Sequence, residues 1–320
     1  MNNKTKTALI LASVLILTGL IVFLVFMSKL GWNFTQLSSI KYEVNTYKIN
    51  EKYEDILIIS STADITFITS EDETGSVTCN EQKRLKYSVT VKDETLRIEL
   101  DDTRKWYDYI GINYNTPKIT VQMPAGEYGE LTVKANTGDV DIPSNFSFKN
   151  ADISLSTGDV TSYASISGEL KIKTSTGDIN IEDLAADSIK LSASTGKISA
   201  TDVVCEGDIA LDVTTGKTVL NVVSCRNLNS LGNTGDLYLN SVIAKEKLSI
   251  ERSTGDVKFD GCDAAEIFVK TDTGSITGSL LSDKIFITQT DTGRITVPST
   301  TSGGKCELTT DTGDVKITLK

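Results

Sequence analysis

A Thr-Gly pair recurs every 19 or 20 residues from Thr137 onward, and this repeat constrains the fold more than any other feature of the chain. Ten copies at so narrow a spacing are typical of a chain that winds into stacked coils, not of a globular domain with one central core. The ten glycines are Gly138, Gly158, Gly177, Gly196, Gly216, Gly235, Gly255, Gly274, Gly293 and Gly313.

The residues around each glycine predict how one coil is built. An aliphatic residue such as Val140 stands two positions after most of the glycines, and pairs such as Leu170 and Ile172 stand seven and five positions before the next one. Alternate residues of a strand share one face, so these side chains point inward together. Glycine allows the positive φ that a corner between strands often needs. We therefore predict an all-β parallel β-solenoid, or β-helix, of about ten 19–20-residue coils.

The first 30 residues form a separate unit. Ala8 to Met27 is an uncharged apolar run of 20 residues, which is long enough to cross a membrane as one helix. The run is longer than that of a cleaved signal peptide and lacks a small-residue cleavage site, so we expect an uncleaved anchor. Two lysines, Lys4 and Lys6, precede the apolar run and one, Lys29, follows it. Because the more positive side of a membrane helix usually stays in the cytoplasm, this predicts a cytoplasmic amino terminus and a single-pass protein whose bulk is extracellular.

The chain divides into five predicted segments. The stretch before the strict repeat contains short β-branched runs, and Ser61–Ile65 resembles a degraded Thr-Gly copy, so we expect a cap that covers the first coil. The segments are a cytoplasmic tail (1–7), a transmembrane helix (8–27), a juxtamembrane linker (28–39), an N-terminal β cap region (40–135) and the solenoid repeats (136–320).

Composition argues against several classes of function. The chain of 320 residues has 32 basic and 43 acidic residues, so nucleic acid is not expected as a partner. It contains no histidine, which removes the commonest general base and most zinc sites. We predict neither a cofactor nor an enzymatic activity.

Two resemblances to enzymes have simpler explanations. The triplets that begin at Asp272, Asp291 and Asp311 spell the aspartic-protease motif Asp-Thr-Gly, but in other coils the same position holds Ser, Asn or Thr, so the turn accounts for them. Polysaccharide lyases and hydrolases of stacked β-coil architecture build clefts from long inserted loops. The even glycine spacing leaves no room for such a loop.

A row of acidic residues follows the repeat glycines. Asp139, Asp159 and Asp178 stand at this position in three consecutive coils and are weak candidates for binding a divalent cation. Lys197 and Lys217 occupy the same position in the next two coils, which favours a solvated corner of mixed charge. No metal site is assigned with these residues.

The only dense aromatic cluster lies before the repeats. Trp106, Tyr107, Tyr109 and Tyr114 are a possible binding surface for a glycan or an envelope protein, because aromatic residues anchor interfaces. The alternative is that these side chains seal the side of the cap.

Two further features bear on oxidation and association. Cys205 and Cys225 stand nine positions after a repeat glycine in neighbouring coils, so they are either small apolar fillers or a disulfide between coils.

The chain stops within a coil, which predicts an open C-terminal edge suited to homo-association, although Lys316 and Lys320 would discourage it.

A family resemblance rests on three short motifs. They are Val121-Gln-Met-Pro124, which precedes the repeats, Leu131-Thr-Val133 and Thr137-Gly-Asp-Val-Asp-Ile142. The stretch from Asp55 to Lys320 resembles the bacterial putative-adhesin β-strand-repeat family. The resemblance implies a β-solenoid in an envelope setting and supplies no catalytic residues. We expect a non-catalytic, membrane-anchored ectodomain for adhesion, ligand binding or envelope-stress sensing; the alternative is a structural spacer or self-assembling scaffold.

Overall fold

The computed structural model describes residues 2–33, 42–71, 74–105 and 116–320. It begins with one helix, α1 (Asn3–Lys29). The most apolar stretch of this helix is not buried inside the structure. By length and composition this helix could cross a membrane, as the sequence predicts.

All the strands belong to one continuous sheet of 25 strands that winds around the core. In chain order they are β1 (Tyr42–Ile49), β2 (Asp55–Thr62), β3 (Asp64–Thr69), β4 (Gly75–Gln82), β5 (Leu85–Lys92), β6 (Thr95–Asp102), β7 (Lys118–Met123), β8 (Gly126–Thr137), β9 (Val140–Ile142), β10 (Phe146–Thr157), β11 (Val160–Ser162), β12 (Ser165–Ile166), β13 (Glu169–Thr176), β14 (Ile179–Ala186), β15 (Ser188–Thr195), β16 (Ile198–Cys205), β17 (Asp208–Thr215), β18 (Thr218–Thr234), β19 (Leu237–Thr254), β20 (Val257–Thr273), β21 (Ile276–Leu280), β22 (Lys284–Thr292), β23 (Ile295–Thr296), β24 (Gly304–Thr312) and β25 (Val315–Leu319).

Each coil has one stretch of strand before the Thr-Gly corner and one after it, and these stretches stack into two rows. The first row runs through β8, β10, β13, β15 and β17 into the second halves of β18, β19 and β20. The second row runs through β9, β11, β14 and β16 into the first halves of the same long strands. Every pairing within these rows is parallel, so the predicted parallel β-solenoid is confirmed.

The core fills the space between the two rows. Ile153, Ile172 and Leu191 are Cα partners on successive rungs of the first row, and all three are buried. Val160 and Ile179 are paired in the same way on the second row. Each rung buries its apolar side chains largely against the rungs above and below, so stability depends on contacts between neighbouring coils.

A further rung precedes the strict repeats. Strands β2 and β3 pair with β8 and β9 on one side and with β6 and β7 on the other. Thr62 is the Cα partner of Thr137, so Thr62 continues the file of corner threonines. The interpretation of Ser61–Ile65 as a degraded repeat is therefore confirmed.

Antiparallel strands close the amino-terminal end of the stack. In the first row β5 pairs with β6, and in the second row β4 pairs with β7 and β1 with β4. The Nζ atom of Lys86 on β5 lies 3.5 Å from the carboxylate of Glu43 on β1, which joins the two rows across this end. The predicted N-terminal β cap is thus present.

The coils at the other end do not stack in chain order. Strand β24 pairs with β20 on one side and with β22 on the other, and β25 lies between β21 and β23 in the same way. The file of corner threonines accordingly runs from Thr273 to Thr312 and only then to Thr292. The last coil of the sequence is inserted, and the coil before it becomes the outermost rung.

The prediction of an open edge at the last strands of the sequence, with Lys316 and Lys320 beside it, is therefore wrong in its position. Strand β25 has neighbours on both sides, and the Nζ atom of Lys320 is paired with Asp260. The apolar content of the two coils explains the order. Leu308 of β24 is buried, whereas its partner position in β22 holds Thr288. At this inward position the apolar residue lies inside the stack and the polar residue lies on the outermost rung.

Candidate functional site

The Thr-Gly corners form one vertical file. Nine of the repeat glycines have φ between 130° and 151°. A Cβ atom added to Gly177 would lie 2.0 Å from the carbonyl oxygen of Gly158, and one on Gly196 would lie 2.0 Å from that of Gly177. The corner therefore needs glycine both for its backbone conformation and for the close approach of the next rung. The N–H of Gly158 donates to the carbonyl of Thr176 at 2.9 Å, which joins neighbouring corners.

The three aspartates predicted as weak cation ligands act here as hydrogen-bond acceptors. The Oδ1 atoms of Asp139 and Asp159 accept the backbone N–H of Asp159 and Asp178 at 2.8 and 2.7 Å. Asp178 accepts the N–H of Lys197 at 2.7 Å. Across the part of the chain that the structure describes, no group of three or more His, Cys, Asp or Glu side chains is placed to hold a metal ion. Cation binding by the second carboxylate oxygens stays a prediction.

A second corner escaped the sequence analysis. Asp183, Asp202, Val222 and Ser241 have φ of 52° or 53°, and Gly261 has φ of 63°. Each stands six positions after a repeat glycine, so the five residues form a column. Because four of the five are not glycine, the usual signal for a positive φ is missing from the sequence at this corner.

Cys205 and Cys225 are free thiols that fill the core. Both side chains are buried, and their chain neighbours Val204 and Ser224 are Cα partners. Burial raises the pKa of the Cys225 thiol to about 12, so the reactive thiolate is scarce at neutral pH. The arrangement matches the filler interpretation of these two residues.

Two other sets of sequence candidates have different outcomes. Trp106, Tyr107, Tyr109 and Tyr114 lie outside the described residues, so a binding role for them stays a prediction. The carboxylates of Asp272, Asp291 and Asp311 are exposed, one on each of three successive rungs, next to the corner threonines. They do not form the buried, facing pair that protease chemistry needs.

A surface groove of about 640 Å³ lies beside the first coils. Tyr128, Phe148 and Ile166 are among its lining residues, together with the charged side chains of Glu127 and Lys149. The aromatic rings belong to the core, because Phe148 is 2% exposed and its ring centroid lies 5.9 Å from that of Tyr128. The groove therefore offers no open aromatic platform for a sugar ring.

The outermost rung of the stack, formed by β22 and β23 and called the open rung below, is the strongest candidate for a binding site. Among the described residues, no strand pairs with its outer edge. Its apolar side chains are unusually accessible: Ile285, Ile287 and Ile295 are 48%, 50% and 42% exposed. Ile295 is the partner of Val315, which is buried in the inserted coil, whereas Ile285 and Ile287 stand at outward positions where the inserted coil holds Lys305 and Glu307.

The middle of β22 in the open rung lacks the usual protection of a sheet edge. Exposed lysines, prolines and bulges normally discourage pairing with another chain. The segment from Ile285 to Thr290 contains none of the charged residues or proline that would do so. Lys284 is turned inward, where its Nζ atom lies 2.7 Å from the carboxylate of Asp263. The rung thus combines unpaired backbone with exposed aliphatic side chains, which suits the addition of a strand from another protein chain.

Comparison with known proteins finds structural neighbours at low sequence identity. No curated protein matches it. It is similar in structure to a putative adhesin from Parabacteroides distasonis ATCC 8503, with 14% identity, a TM-score of 0.48, and coverage of 73% of this chain and 97% of that one. A putative lipid binding protein from the same organism gives 16% identity, a TM-score of 0.49 and the same coverage. A putative adhesin from Bacteroides fragilis NCTC 9343 gives 15% identity and a TM-score of 0.39, covering 86% of this chain and 97% of that one.

The family comparison is more specific. Residues 53–218 and 206–320 match one family, Toastrack DUF4097, in two overlapping segments that together span the β structure from β2 onward. The match confirms the resemblance that the Thr-Gly-Asp motifs suggest. The chain belongs to the Toastrack DUF4097 family.

Proposed function

We propose that this protein is a non-catalytic ectodomain, anchored in a membrane by α1, that binds a partner protein through the open rung. Adhesion, ligand binding and envelope-stress sensing are the roles that such binding would serve. The observation that carries the proposal is the difference between the two ends of the stack. The outermost strands of the amino-terminal end, β1 and β5, are antiparallel and carry charged side chains, whereas the middle of the open rung presents backbone groups and aliphatic side chains without charged neighbours.

The helix α1 supports the anchored location. Its apolar stretch is long enough to span the hydrocarbon layer, and its most apolar 18 residues are not buried inside the structure. Lys4 and Lys6 precede the span and Lys29 follows it, so the positive-inside rule favours a cytoplasmic amino terminus. The β structure, including the open rung, would then lie on the outer side of the membrane.

Strand addition is the binding mode that the open rung favours. A partner strand would satisfy the free backbone groups of β22, and its alternate side chains would contact Ile285 and Ile287. Proteins avoid leaving such edges uncovered because they promote unwanted association. Charged side chains stand on the outermost strands of the cap, whereas the edge of β22 has none from Ile285 to Thr290, so this edge is best explained as a surface that is kept for binding.

The chemistry of the described surface favours binding over catalysis. The chain has no histidine to act as a general base. The carboxylates of the corner file accept backbone hydrogen bonds, as Asp159 does from Asp178, and so have a structural role. A structural spacer or self-assembling scaffold is the second candidate function, since the unguarded edge would also serve to join copies of the rod.

Photo-cross-linking on intact cells tests the proposal. A photoreactive phenylalanine analogue would replace Ile287 in the full-length chain, and a matched variant would carry it at Ser249. Both positions lie in one column on the outside of the first row, but Ser249 is three rungs inside the stack.

The expected result is a light-dependent protein adduct from position 287 and not from position 249. Equal labelling at both positions, or no protein adduct at either, would refute a binding role for the open rung.

A further inference from the structure

We propose that the partner of the open rung is a second copy of this chain, joined open rung to open rung across a two-fold axis, so that the two anchors lie at opposite ends of the pair. The inference rests on the proposed function, because it names the partner of the same site. It makes the protein a homophilic tether between two facing membranes.

The repeat itself indicates what fits the open rung. Along the stack, each corner glycine donates its N–H to the corner threonine of the next rung, as Gly235 does to Thr254 at 2.8 Å. The open rung presents the Thr292–Gly293 corner and the inward side chains of Phe286 and Ile295, with no further rung upon it among the described residues. A surface of matching width and strand spacing is available on an identical rung of another copy.

The cap restricts how two copies can combine. Stacking of the open rung on the amino-terminal end would bring β22 and β23 against β5 and β1, the outermost strands of the cap. Lys86 and Lys92 stand on β5, while Glu43 and Lys48 stand on β1. Charged edge strands discourage pairing. Since the open rung has an uncharged stretch from Ile285 to Thr290, pairing between two open rungs is favoured over the head-to-tail arrangement that would give a filament.

Two-fold pairing would also bring identical aliphatic side chains of the two copies together. Ile287 lies next to the middle of β22, and an axis at this residue pairs the two strands antiparallel and places Ile287 of one copy directly opposite Ile287 of the other. Each copy contributes the same aliphatic residues, Ile285 and Ile287, whose outer halves are exposed in the single chain. The interface is self-complementary and closes at two copies.

The position of the anchor decides which membranes are joined. Helix α1 precedes β1, which belongs to the cap, so the membrane connection enters at the closed end of the stack. The open rung is at the other end. A two-fold pair therefore directs its anchors away from each other. One edge strand and a few aliphatic side chains make a small interface, so we expect weak single pairs that become effective when many copies face each other.

Proteoliposomes provide the test. The full-length chain would be reconstituted into two vesicle populations with different fluorescent lipids, and tethering would be measured as co-sedimentation of the two labels. The variants are Ile287→Lys, Ile287→Glu and the control Ser249→Lys. Unchanged circular dichroism spectra and thermal midpoints show that a variant is folded.

The wild-type and Ser249→Lys vesicles should tether to their own kind and not to empty vesicles. Vesicles that carry only Ile287→Lys, or only Ile287→Glu, should tether at least tenfold less, because like charges meet across the axis. A mixture of Lys and Glu vesicles should recover tethering. A mixture that stays dispersed contradicts the two-fold pairing, as does tethering to empty vesicles.

This test separates the inference from the proposed function. If wild-type vesicles do not tether while position 287 still cross-links to a different protein on cells, the second copy is the wrong partner and the binding role of the open rung stands. If an adduct of two copies forms only within one membrane, the facing-membrane geometry is overturned. If neither tethering nor cross-linking occurs, both proposals are wrong.

Discussion

Arg252 occupies the space that the missing side chain of Gly232 leaves. A Cβ atom on Gly232 would lie 1.7 Å from the Nη1 atom of Arg252. The guanidinium is buried, with the whole residue 3% exposed, and its Nη2 atom donates to Ser230 at 2.9 Å and to Thr218 at 3.3 Å. Its Nε and Nη1 atoms have no partner among the described residues. Within the described part of the chain, the core thus holds a buried cation without a salt bridge.

The first prediction concerns this buried cation. Burial lowers the pKa of Arg252 to about 10, so the guanidinium stays charged at neutral pH and destabilises the fold there. Because the folded-state pKa is depressed, this penalty is complete below about pH 10 and declines only above it. We expect Arg252→Met to raise the free energy of unfolding by about 1 kcal/mol or more, measured in urea at pH 7.

Gly232 supplies the control for that prediction. Gly232→Ala should cost about 1–3 kcal/mol because the methyl group displaces the guanidinium. In the Arg252→Met background most of this cost should disappear, which is a coupling that a double-mutant cycle measures. Equal costs in both backgrounds would mean that the two residues do not share the space.

The second prediction tests the Thr-Gly corner. Gly196→Ala should lower the free energy of unfolding by several kcal/mol, because φ is 147° and the new methyl would meet the carbonyl oxygen of Gly177. The matched control is Gly126→Ala, where an added Cβ meets nothing within 4 Å. Urea midpoints of the two variants should differ widely. Similar midpoints would show that the corner glycines are dispensable.

The third prediction concerns the second corner. Val222 is β-branched yet has φ of 53°, and its side chain is 55% exposed. Left-handed backbone costs an L-residue about 1–2 kcal/mol, and asparagine tolerates it better than valine. Val222→Asn should therefore raise the free energy of unfolding by about 1 kcal/mol. Gly261→Val, at the equivalent position, should lower the free energy of unfolding by a similar amount. A lower free energy of unfolding in Val222→Asn would mean that the backbone at residue 222 is not strained.

These corners show what the sequence can and cannot predict. The spacing of glycines and inward aliphatic residues predicts the parallel solenoid, because period and alternation are local properties of the chain. The second corner, which includes Asp183 and Val222, cannot be recognised from the sequence. Tertiary context imposes its positive φ on residues other than glycine. The acceptor role of Asp159 is hidden for a related reason: its partner N–H belongs to the next rung.

The position of the open rung is the largest departure from the sequence analysis. Chain order predicts that β25 is last, but β24 and β25 are inserted. Nothing in the repeat forbids this, since every coil offers the same corner to its neighbours. The difference between Leu308 and Thr288 is the signal that indicates which coil belongs inside, and a comparison of inward residues between coils would have found it.

The fourth prediction concerns alkaline pH. Burial raises the pKa of the Cys79, Cys225 and Cys306 thiols to about 12, from an ordinary value of 9.0. Above pH 9 the unfolded chain loses these protons first, so the stability present below pH 9 should fall steadily as pH rises toward 12. Urea midpoints between pH 8 and 11 measure the fall. Cys225→Ala should make the slope shallower; an unchanged slope would mean that this thiol does not contribute.

Engineered disulfides test the stacking order, on which the open rung and both proposals depend. Phe268 and Glu307 are Cα partners, and Glu307 is in turn the partner of Ile287. Adjacent parallel strands lie about 4.8 Å apart, within reach of a disulfide, whereas Phe268 and Ile287 are two rungs apart and out of reach.

The five native cysteines are buried and unpaired, so they give little background. Mass spectrometry of the oxidised full-length variants reads the result. Our account predicts that Phe268→Cys with Glu307→Cys forms the bond and that Phe268→Cys with Ile287→Cys does not. A bond in the second variant and none in the first would place the coils in chain order and contradict the account.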